Sequence, residues 1–415
     1  MSAHSPTVAL QDPGPLQAPG LNRLGTILIG IGLLGLILAV VTDDGHGLTR
    51  IWTGLLQGML LPLYLSIAGL FFIAVHNVGG AKWLTPYRRL IEGLTAGFPI
   101  AAIVIVLIAL FGGAWLYDWV YLTHPLGSGA GHEHADLFHV HHGSKSAYMT
   151  WWRFAPTTIL IVAAWWYLRN RFIKASLRQD VEGGSFRSRN LRLSVVYLFV
   201  FAFGFTLLTW DLLLALHVNW FSTMWGVYCF TSAVQTFLCV LLLVALWLRQ
   251  GPLREHLPHH VLHDLGTWMV AWSCFCAYIG FDQYMLIYYA NLDEETYWYV
   301  MRTQNGYGLQ YVIEALIRWP LPFLGLMSQR VRANPRWLVT IASVVLLGNW
   351  LDWSWIINPA FAPDHYRSPF GVELLIGLGF AGGVLLLANR YWQRHGIVPK
   401  RDPDLEPTVH GEHLH

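Results

Sequence analysis

Two residues of opposite charge, Glu314 and Arg318, lie four positions apart in an otherwise apolar part of the sequence. In an α-helix this spacing places both side chains on one face, where they can form an ion pair. An ionisable side chain at the centre of a bilayer costs roughly 2.5–3.5 kcal/mol on insertion scales, so residues kept there need a reason. Two interpretations stay open: an internal ion pair that locks helices together, or a charged site in a proton path.

A proton relay across a membrane needs titratable groups at successive depths. Three apolar stretches in the carboxyl-terminal half carry such groups near one surface, in the middle and towards the other surface. From the inner side outwards the candidates are His263 and Asp264, then Glu314 and Arg318, then Asp282 and Asp352. They form a ladder if the three stretches pack against one another, which the sequence does not establish.

Three further candidates for the path lie at the ends of apolar stretches. Asp211 closes one stretch on the outer side, whereas His76 and Glu92 flank a loop on the inner side. Helix caps and interface anchors also use Asp, Glu and His at such positions. These three residues are therefore weaker candidates than the residues in the middle of a stretch.

The composition indicates that membrane helices position these residues. Of the 415 residues, 55% are hydrophobic and 12% are charged, whereas soluble domains carry about 25% charged residues. Charge is absent from long continuous blocks, which predicts an all-α polytopic membrane protein and excludes the alternating pattern of a β-barrel. The formal net charge of +2 gives no argument for nucleic acid as a partner.

Ten apolar stretches are long enough to cross about 30 Å of hydrocarbon at 1.5 Å per residue. They are Leu24–Val41, Leu55–Val78, Leu90–Phe111, Tyr148–Leu168, Leu191–Leu213, Phe221–Trp247, His263–Tyr289, Gly306–Met327, Trp337–Ile357 and Val372–Trp392. Residues 1–23 and 393–415 are polar tails; we expect the first to be loose and residues 400–415 to be disordered.

Basic residues are distributed unequally between the loops. The two tails and the loops after the second, fourth, sixth and eighth stretches hold about 20 of the 26 Lys and Arg residues. Cytoplasmic loops of membrane proteins carry such an excess. This bias predicts a multi-pass protein of the bacterial inner (plasma) membrane with both termini in the cytoplasm.

Cofactor motifs are missing from the sequence. It contains no CxxCH, CxxC or Walker pattern, and its Gly-rich run at 379–383 lies within an apolar stretch, where it favours close helix packing rather than a dinucleotide-binding loop. We therefore expect no catalytic site, haem or iron–sulfur cluster in this chain. The outer loop after the third stretch is rich in His, but the spacing fits no tetrahedral metal site, so we expect a solvated or partner-contacting loop. Its histidines are His124, His132, His134, His139, His141 and His142.

Several segments of the chain resemble a known family. They are Leu208–Asp211 with Asn219–Tyr228, His263–Gly266, Asp282–Tyr284 with Ile287–Trp298, Pro322–Leu324 with Asn334 and Pro335, and Leu351–Trp355 with Pro359. Together they resemble the ActF-type membrane subunit of alternative complex III, a quinol:cytochrome c (or oxidase) oxidoreductase, within the wider NrfD and polysulfide-reductase membrane-subunit family. The resemblance covers most of residues 24–392 and is strongest from 190 to 360.

The resemblance implies two four-helix bundles, about residues 55–213 and 221–357, flanked by the first and the tenth helix. It implies a transmembrane proton path without a redox cofactor in this chain. The expected partners are a paralogous quinol-binding membrane subunit, multihaem cytochrome c and iron–sulfur subunits, and a terminal oxidase. The chain departs from the family at Asp282, where a small hydroxyl residue is expected, at Asp293, where Pro is expected, and at Trp210.

Three other functions remain open on the sequence. An NrfD-type membrane anchor would bind quinone itself and serve a different oxidoreductase. A secondary transporter would show paired broken helices around a midplane site. A structural scaffold would use its buried charges only to hold helices together.

Overall fold

The computed structural model describes residues 10, 12–42, 48–123, 147–332 and 334–411, and these residues are helical with no β-strand among them. We number ten long helical segments in chain order. They are α1 (Pro19–Val41), α2 (Thr49–Gly79), α3 (Thr85–Leu116), α4 (Trp151–Glu182), α5 (Phe186–Leu212), α6 (Trp225–Arg249), α7 (His259–Ala290), α8 (Tyr307–Arg318 and Pro320–Leu326), α9 (Pro335–Ile357) and α10 (Val372–His395). Shorter helices are Asp118–Thr123, Asp293–Thr303, Gln329–Arg332 and Leu405–His410.

Seven of the described helices are long and apolar enough to cross a membrane: α1, α2, α3, α5, α6, α9 and α10. The protein is therefore helical, with apolar helices of membrane-spanning length. The other three predicted stretches correspond to α4, α7 and α8. The amino-terminal part of α4 is apolar but its last turns are strongly polar, α7 carries many Tyr and Trp residues, and α8 is interrupted.

The helices pack in two groups of four. In the first group α2 contacts α3 and α5, and α4 completes the ring between them. In the second group α6 contacts α7 and α9, and α8 lies between those two helices. The groups meet along α2 and α6, while α1 and α10 pack together against α2. The loops that were predicted to be cytoplasmic lie at one end of the helices, which we call the basic end.

Glycines allow α1 and α10 to approach closely. A Cβ atom on Gly32 would lie 2.5 Å from the Cα atom of Gly379, and one on Gly382 would lie 2.6 Å from the carbonyl oxygen of Gly25. Small residues at helix contacts are typical of membrane helices, where close packing rather than hydrophobic transfer drives association.

Helix α8 breaks after Arg318. Trp319 leaves the helical conformation, with φ −124° and ψ −70°, and Pro320 has no N–H to continue the hydrogen-bond pattern. The side-chain Nε2 of Gln235 on α6 donates a hydrogen bond to the carbonyl oxygen of Arg318 over 2.9 Å. A backbone group released by the break is thus satisfied inside the protein.

The described parts of the tails are ordered against the bundle, so the expectation of disorder from residue 400 is wrong for residues 400–411. Leu16 in one tail and Leu405 and Val409 in the other are buried. Nη1 of Arg88 on α3 lies 2.6 Å from Oδ2 of Asp402. A few apolar residues and one buried ion pair anchor these segments. The average composition of the tails is polar and therefore does not reveal these anchors.

Candidate functional site

A buried ion pair joins α8 to α9. Nη1 of Arg318 lies 2.9 Å from Oδ1 of Asp352, and Asp352 is fully buried. Two hydroxyl groups of α6 also donate hydrogen bonds to the Asp352 carboxylate. Ser232 donates to Oδ2 over 3.0 Å, and Tyr228 donates to Oδ1. Asp352 therefore accepts hydrogen bonds from three side chains, one of them a cation. A buried carboxylate needs such a counter-ion and such donors to offset its loss of hydration.

Gln235 connects this pair to two further helices. Its Oε1 accepts from Nε of Arg318 over 3.1 Å, and its Nε2 also donates to the Ser273 hydroxyl on α7 over 3.1 Å. We call Tyr228, Ser232, Gln235, Glu314, Arg318 and Asp352 the acid–arginine cluster. All four helices of the second group thus contribute to one polar network in the half of the bundle away from the basic end.

Glu314 belongs to the cluster but is not bonded to it. It is fully buried one turn before Arg318, with no ion pair to Arg318 within 4 Å, so the ion pair suggested by the spacing is not formed. Its Oε2 atom has no hydrogen-bond partner among the described residues. With both acids ionised, two carboxylates would share one guanidinium. A buried net charge is costly, so the electrically neutral cluster holds one proton.

A cavity of about 590 Å³ lies between α7 and α8 and reaches the cluster. Tyr228, Glu314 and Arg318 form its polar wall. The remainder is mostly apolar and includes Phe281 and Trp319, which are largely exposed on the outside of the bundle. The unpaired acid therefore borders a space that a small molecule, water or a side chain can occupy.

Asp211 lies in a different polar site, at the far end of α5. Nη1 and Nη2 of Arg153 contact its two carboxylate oxygens over 2.7 and 2.8 Å, and the Tyr148 hydroxyl donates to Oδ1 over 3.1 Å. Arg153 is 22% exposed. The structure therefore pairs Asp211 near the surface of the first group of helices, separate from the acid–arginine cluster.

Glu92 lies in a second buried network, at the basic end. Its Oε2 accepts from Nη1 of Arg89 and from the Tyr391 hydroxyl, each over 2.7 Å. Arg89 also contacts Asp180 near the end of α4. We call Arg89, Glu92, Asp180 and Tyr391, with the Arg88–Asp402 pair, the basic-end network. Its ion pairs join α3, α4 and the carboxyl tail, and the Tyr391 hydrogen bond adds α10.

The remaining candidates stand apart from both networks. His76 is enclosed by the rings of Phe72, Trp83 and Trp268, and its Nδ1 lies 2.7 Å from the Phe72 carbonyl oxygen, to which it must donate. His263 and Asp264 lie side by side at the basic end, 3.6 Å apart and each 36% exposed.

Asp282 is half-buried and makes no hydrogen bond or ion pair with any described residue. Below the acid–arginine cluster, the α6 segment Phe237–Leu248 contains no charged or hydroxyl-bearing residue. Of the predicted ladder, the structure therefore brings together Glu314, Arg318 and Asp352, but not Asp264, His263 or Asp282.

Sequence reasoning missed the α6 side of the cluster. Tyr228, Ser232 and Gln235 follow one another by four and three residues, which is the spacing of one helix face. That spacing is present in the sequence, but neutral hydroxyl and amide side chains in an apolar stretch are a weaker signal of a buried polar site than charged side chains.

Another buried arginine, Arg302, was also missed. Nη2 of Arg302, in the helix Asp293–Thr303, donates to Nε2 of His217 over 2.8 Å and to the Ile356 carbonyl oxygen over 2.8 Å. Burial and the neighbouring guanidinium lower the pKa of His217 well below its usual value. Burial lowers the pKa of Arg302 to about 9. A neutral His217 is consistent with the geometry, because a guanidinium can only donate.

The histidines of the outer loop, His124 to His142, lie outside the described residues, so the expectation for that loop stays a prediction. A search with protein-family models and a search of curated proteins gave no match to this chain.

Proposed function

We propose that the protein is a membrane subunit of a respiratory quinol:cytochrome c (or oxidase) oxidoreductase of the alternative complex III type, and that it conducts protons. The observation that carries this proposal is the acid–arginine cluster, because Glu314 is a buried acid without a hydrogen-bond partner beside a paired Arg318 and Asp352. In this proposal the redox groups belong to partner subunits: haem and iron–sulfur clusters outside the membrane domain, and quinol on a paralogous membrane subunit.

The proposal places ten helices across the bacterial inner membrane with the basic end in the cytoplasm. Helices α4 and α7 each contain 32 residues, which at 1.5 Å per residue exceeds the hydrocarbon thickness. Helix α8 crosses as two segments, and Gln235 satisfies the backbone at its break. The excess of basic residues in the inner loops supports the orientation.

The proton path in this proposal crosses from the second group of helices to the first. Below the cluster α6 is apolar, but Tyr64, at the midpoint of α2, lies beside Cys229, which follows Tyr228 in the chain. Towards the basic end, the Ser66 hydroxyl lies 3.5 Å from the Thr95 carbonyl oxygen. Water or a side-chain movement near Tyr64 must complete the connection.

The basic-end half of the path would begin at Thr95. Nε of Arg169 donates to the Thr95 carbonyl oxygen over 2.8 Å, and the Thr95 hydroxyl donates to the Glu92 carbonyl oxygen over 2.7 Å. These contacts end on backbone carbonyl oxygens, which hold no proton to pass on, so in this proposal water joins the Thr95 hydroxyl to the Glu92 carboxylate. The basic-end network then leads to the surface. The route thus uses Glu92 but not His76, Asp264 or His263.

The test is the Glu314→Gln variant of the intact complex in sealed vesicles, with quinol as electron donor. We expect fewer protons moved per electron, with quinol oxidation and complex assembly retained, because Gln keeps the size but cannot exchange a proton. The matched control is Glu294→Gln, an exposed acid outside the long helices. Wild-type proton movement in Glu314→Gln would remove the cluster from the path.

One alternative function has an observation of its own. The 590 Å³ cavity has an apolar body and a polar wall of Tyr228, Glu314 and Arg318, which suits a quinone ring with an apolar tail. In that case the chain is an NrfD-type quinone-binding anchor of another oxidoreductase. A photoreactive quinone that labels α7 or α8 in competition with native quinone would favour this alternative over a purely proton-conducting role.

A further inference from the structure

One face of α7 differs in chemistry from the other exposed helix surfaces. Tyr278, Asp282, Met285 and Tyr289 follow one another by four, three and four residues and therefore form one stripe, which we call the tyrosine face. Tyr278 is 62% exposed and Tyr289 is 77% exposed. The neighbouring surface of α8 is apolar, with Leu309, Val312 and Leu316 exposed.

The exposed surfaces of α1 and α5 are apolar and serve as a comparison for the tyrosine face. On α1 the exposed residues are aliphatic, such as Leu33, Leu34 and Ile37, and the middle of α5 exposes Phe199 and Phe203. Such surfaces suit hydrocarbon, which offers no hydrogen bonds. The tyrosine face instead presents two hydroxyl groups and a carboxyl group.

Asp282 is the residue that hydrocarbon accommodates least well. It lies eight residues before the end of α7 at Ala290, about 12 Å along the helix. It makes no hydrogen bond or ion pair with the described residues. Acids inside a membrane domain almost always face protein or water and pair with another group. A basic side chain from outside the described chain would supply that partner.

We infer that the tyrosine face binds a transmembrane helix of another subunit, one that carries a Lys, Arg or His residue opposite Asp282. The inference rests on the proposed placement of the chain in a multisubunit membrane complex. Charge complementarity selects the occupant: a lipid chain leaves the carboxyl group unpaired, whereas a basic helix pairs it and gives the tyrosine hydroxyls acceptors.

The same helix would also close the cavity beside the acid–arginine cluster. Tyr278 and Phe281 line the cavity on its exposed side. A partner helix on the tyrosine face would cover that opening, so that Glu314 exchanges protons only through the protein. The partner then sets how well the cluster is insulated from the surrounding lipid.

The experiment places a benzophenone amino acid at Tyr278 in the full complex in its native membrane, with the matched position Phe203 on α5 as control. We expect a covalent adduct at position 278 with a peptide from another polypeptide, and that peptide should belong to an apolar helix containing Lys, Arg or His. Position 203 should give lipid adducts. Asp282→Leu should lower the protein adduct by about threefold or more, while Asp282→Glu should retain it.

Several results would overturn the inference. They are lipid adducts alone at position 278, an adduct with a second copy of this chain or within the same chain, and an adduct unaffected by Asp282→Leu. If Asp282→Leu prevents accumulation of the protein, Asp282→Asn at the same position gives the same comparison with less disturbance. The crosslink does not depend on proton movement, so its failure is distinguishable from a failure of the Glu314→Gln test.

Discussion

Two arginine–aspartate pairs occupy comparable places in the two groups of helices. Arg153 on α4 pairs with Asp211 at the end of α5, and Arg318 on α8 pairs with Asp352 near the end of α9. In each pair a tyrosine hydroxyl, from Tyr148 or Tyr228, is a further donor to the carboxylate. The composition of the two sites is therefore nearly the same.

Their surroundings differ. The Arg153 side chain is 22% exposed and makes two parallel contacts with its carboxylate, whereas the Arg318 side chain is 9% exposed and has Glu314 and a cavity beside it. In the first pair the Arg153 guanidinium is partly exposed, although Asp211 is buried, and no second acid lies beside it. In the second pair, Glu314 is a second buried acid without a hydrogen-bond partner, so this site can gain or lose a proton. This difference makes the Arg318–Asp352 site the functional candidate.

The largest expected effect is on stability when each arginine is removed. Arg318→Gln leaves Asp352 buried without a cation, so we expect a loss of about 3–5 kcal/mol. Arg153→Gln should cost less than about 2 kcal/mol, because shortening the partly exposed Arg153 side chain lets water reach the Asp211 carboxylate, to which Tyr148 still donates. Unfolding midpoints in detergent measure both. Restoration of stability in Arg318→Gln combined with Asp352→Asn is the control, and equal losses in the two single variants would contradict the comparison.

The buried Arg302 extends the comparison, because its side-chain partner is a histidine, His217. The lowered pKa keeps His217 neutral in the folded protein, whereas in the unfolded chain it binds a proton below about pH 6.5. Stability should therefore be full above that pH and fall by about 1.4 kcal/mol per pH unit below it.

Unfolding midpoints between pH 8 and pH 5 measure this dependence. His217→Gln should reduce this slope by the contribution of one proton, about 1.4 kcal/mol per pH unit, because Gln does not titrate in this range. Its side-chain amide oxygen can still accept a hydrogen bond from Arg302. An unchanged slope in that variant would show that His217 is protonated in the folded state.

The smallest expected effects come from the two tyrosine donors. Tyr228→Phe removes a donor to a fully buried carboxylate and should cost about 1–2 kcal/mol, whereas Tyr148→Phe, at a half-buried residue, should cost about 0.5 kcal/mol. Thermal unfolding of the two variants measures the difference. A larger loss in Tyr148→Phe would mean that the pair near the surface is the more isolated from water.

Much of the helical architecture was predictable, because it depends on local sequence. The stretch Trp337–Ile357 was expected as a helix and α9 runs from Pro335 to Ile357, since continuous apolar length is read from neighbours in the chain. Pro320 indicated that the eighth helix could be interrupted. The hydrogen bond from Gln235 to the Arg318 carbonyl oxygen at the break was not predictable from the sequence. The packing of the carboxyl tail was missed because Asp402, Leu405 and Val409 are isolated residues in a polar segment.

The sequence by itself determined that this protein consists of apolar helices with a few titratable residues inside them, because helix length and hydropathy are properties of consecutive residues. Tertiary structure decided which titratable residues meet. Arg318 turns from Glu314 on its own helix to Asp352 on another, and Asp282 faces outwards without a partner in the described chain. Those outcomes depend on how each helix is rotated and which helix lies beside it, and close packing of the whole bundle sets both.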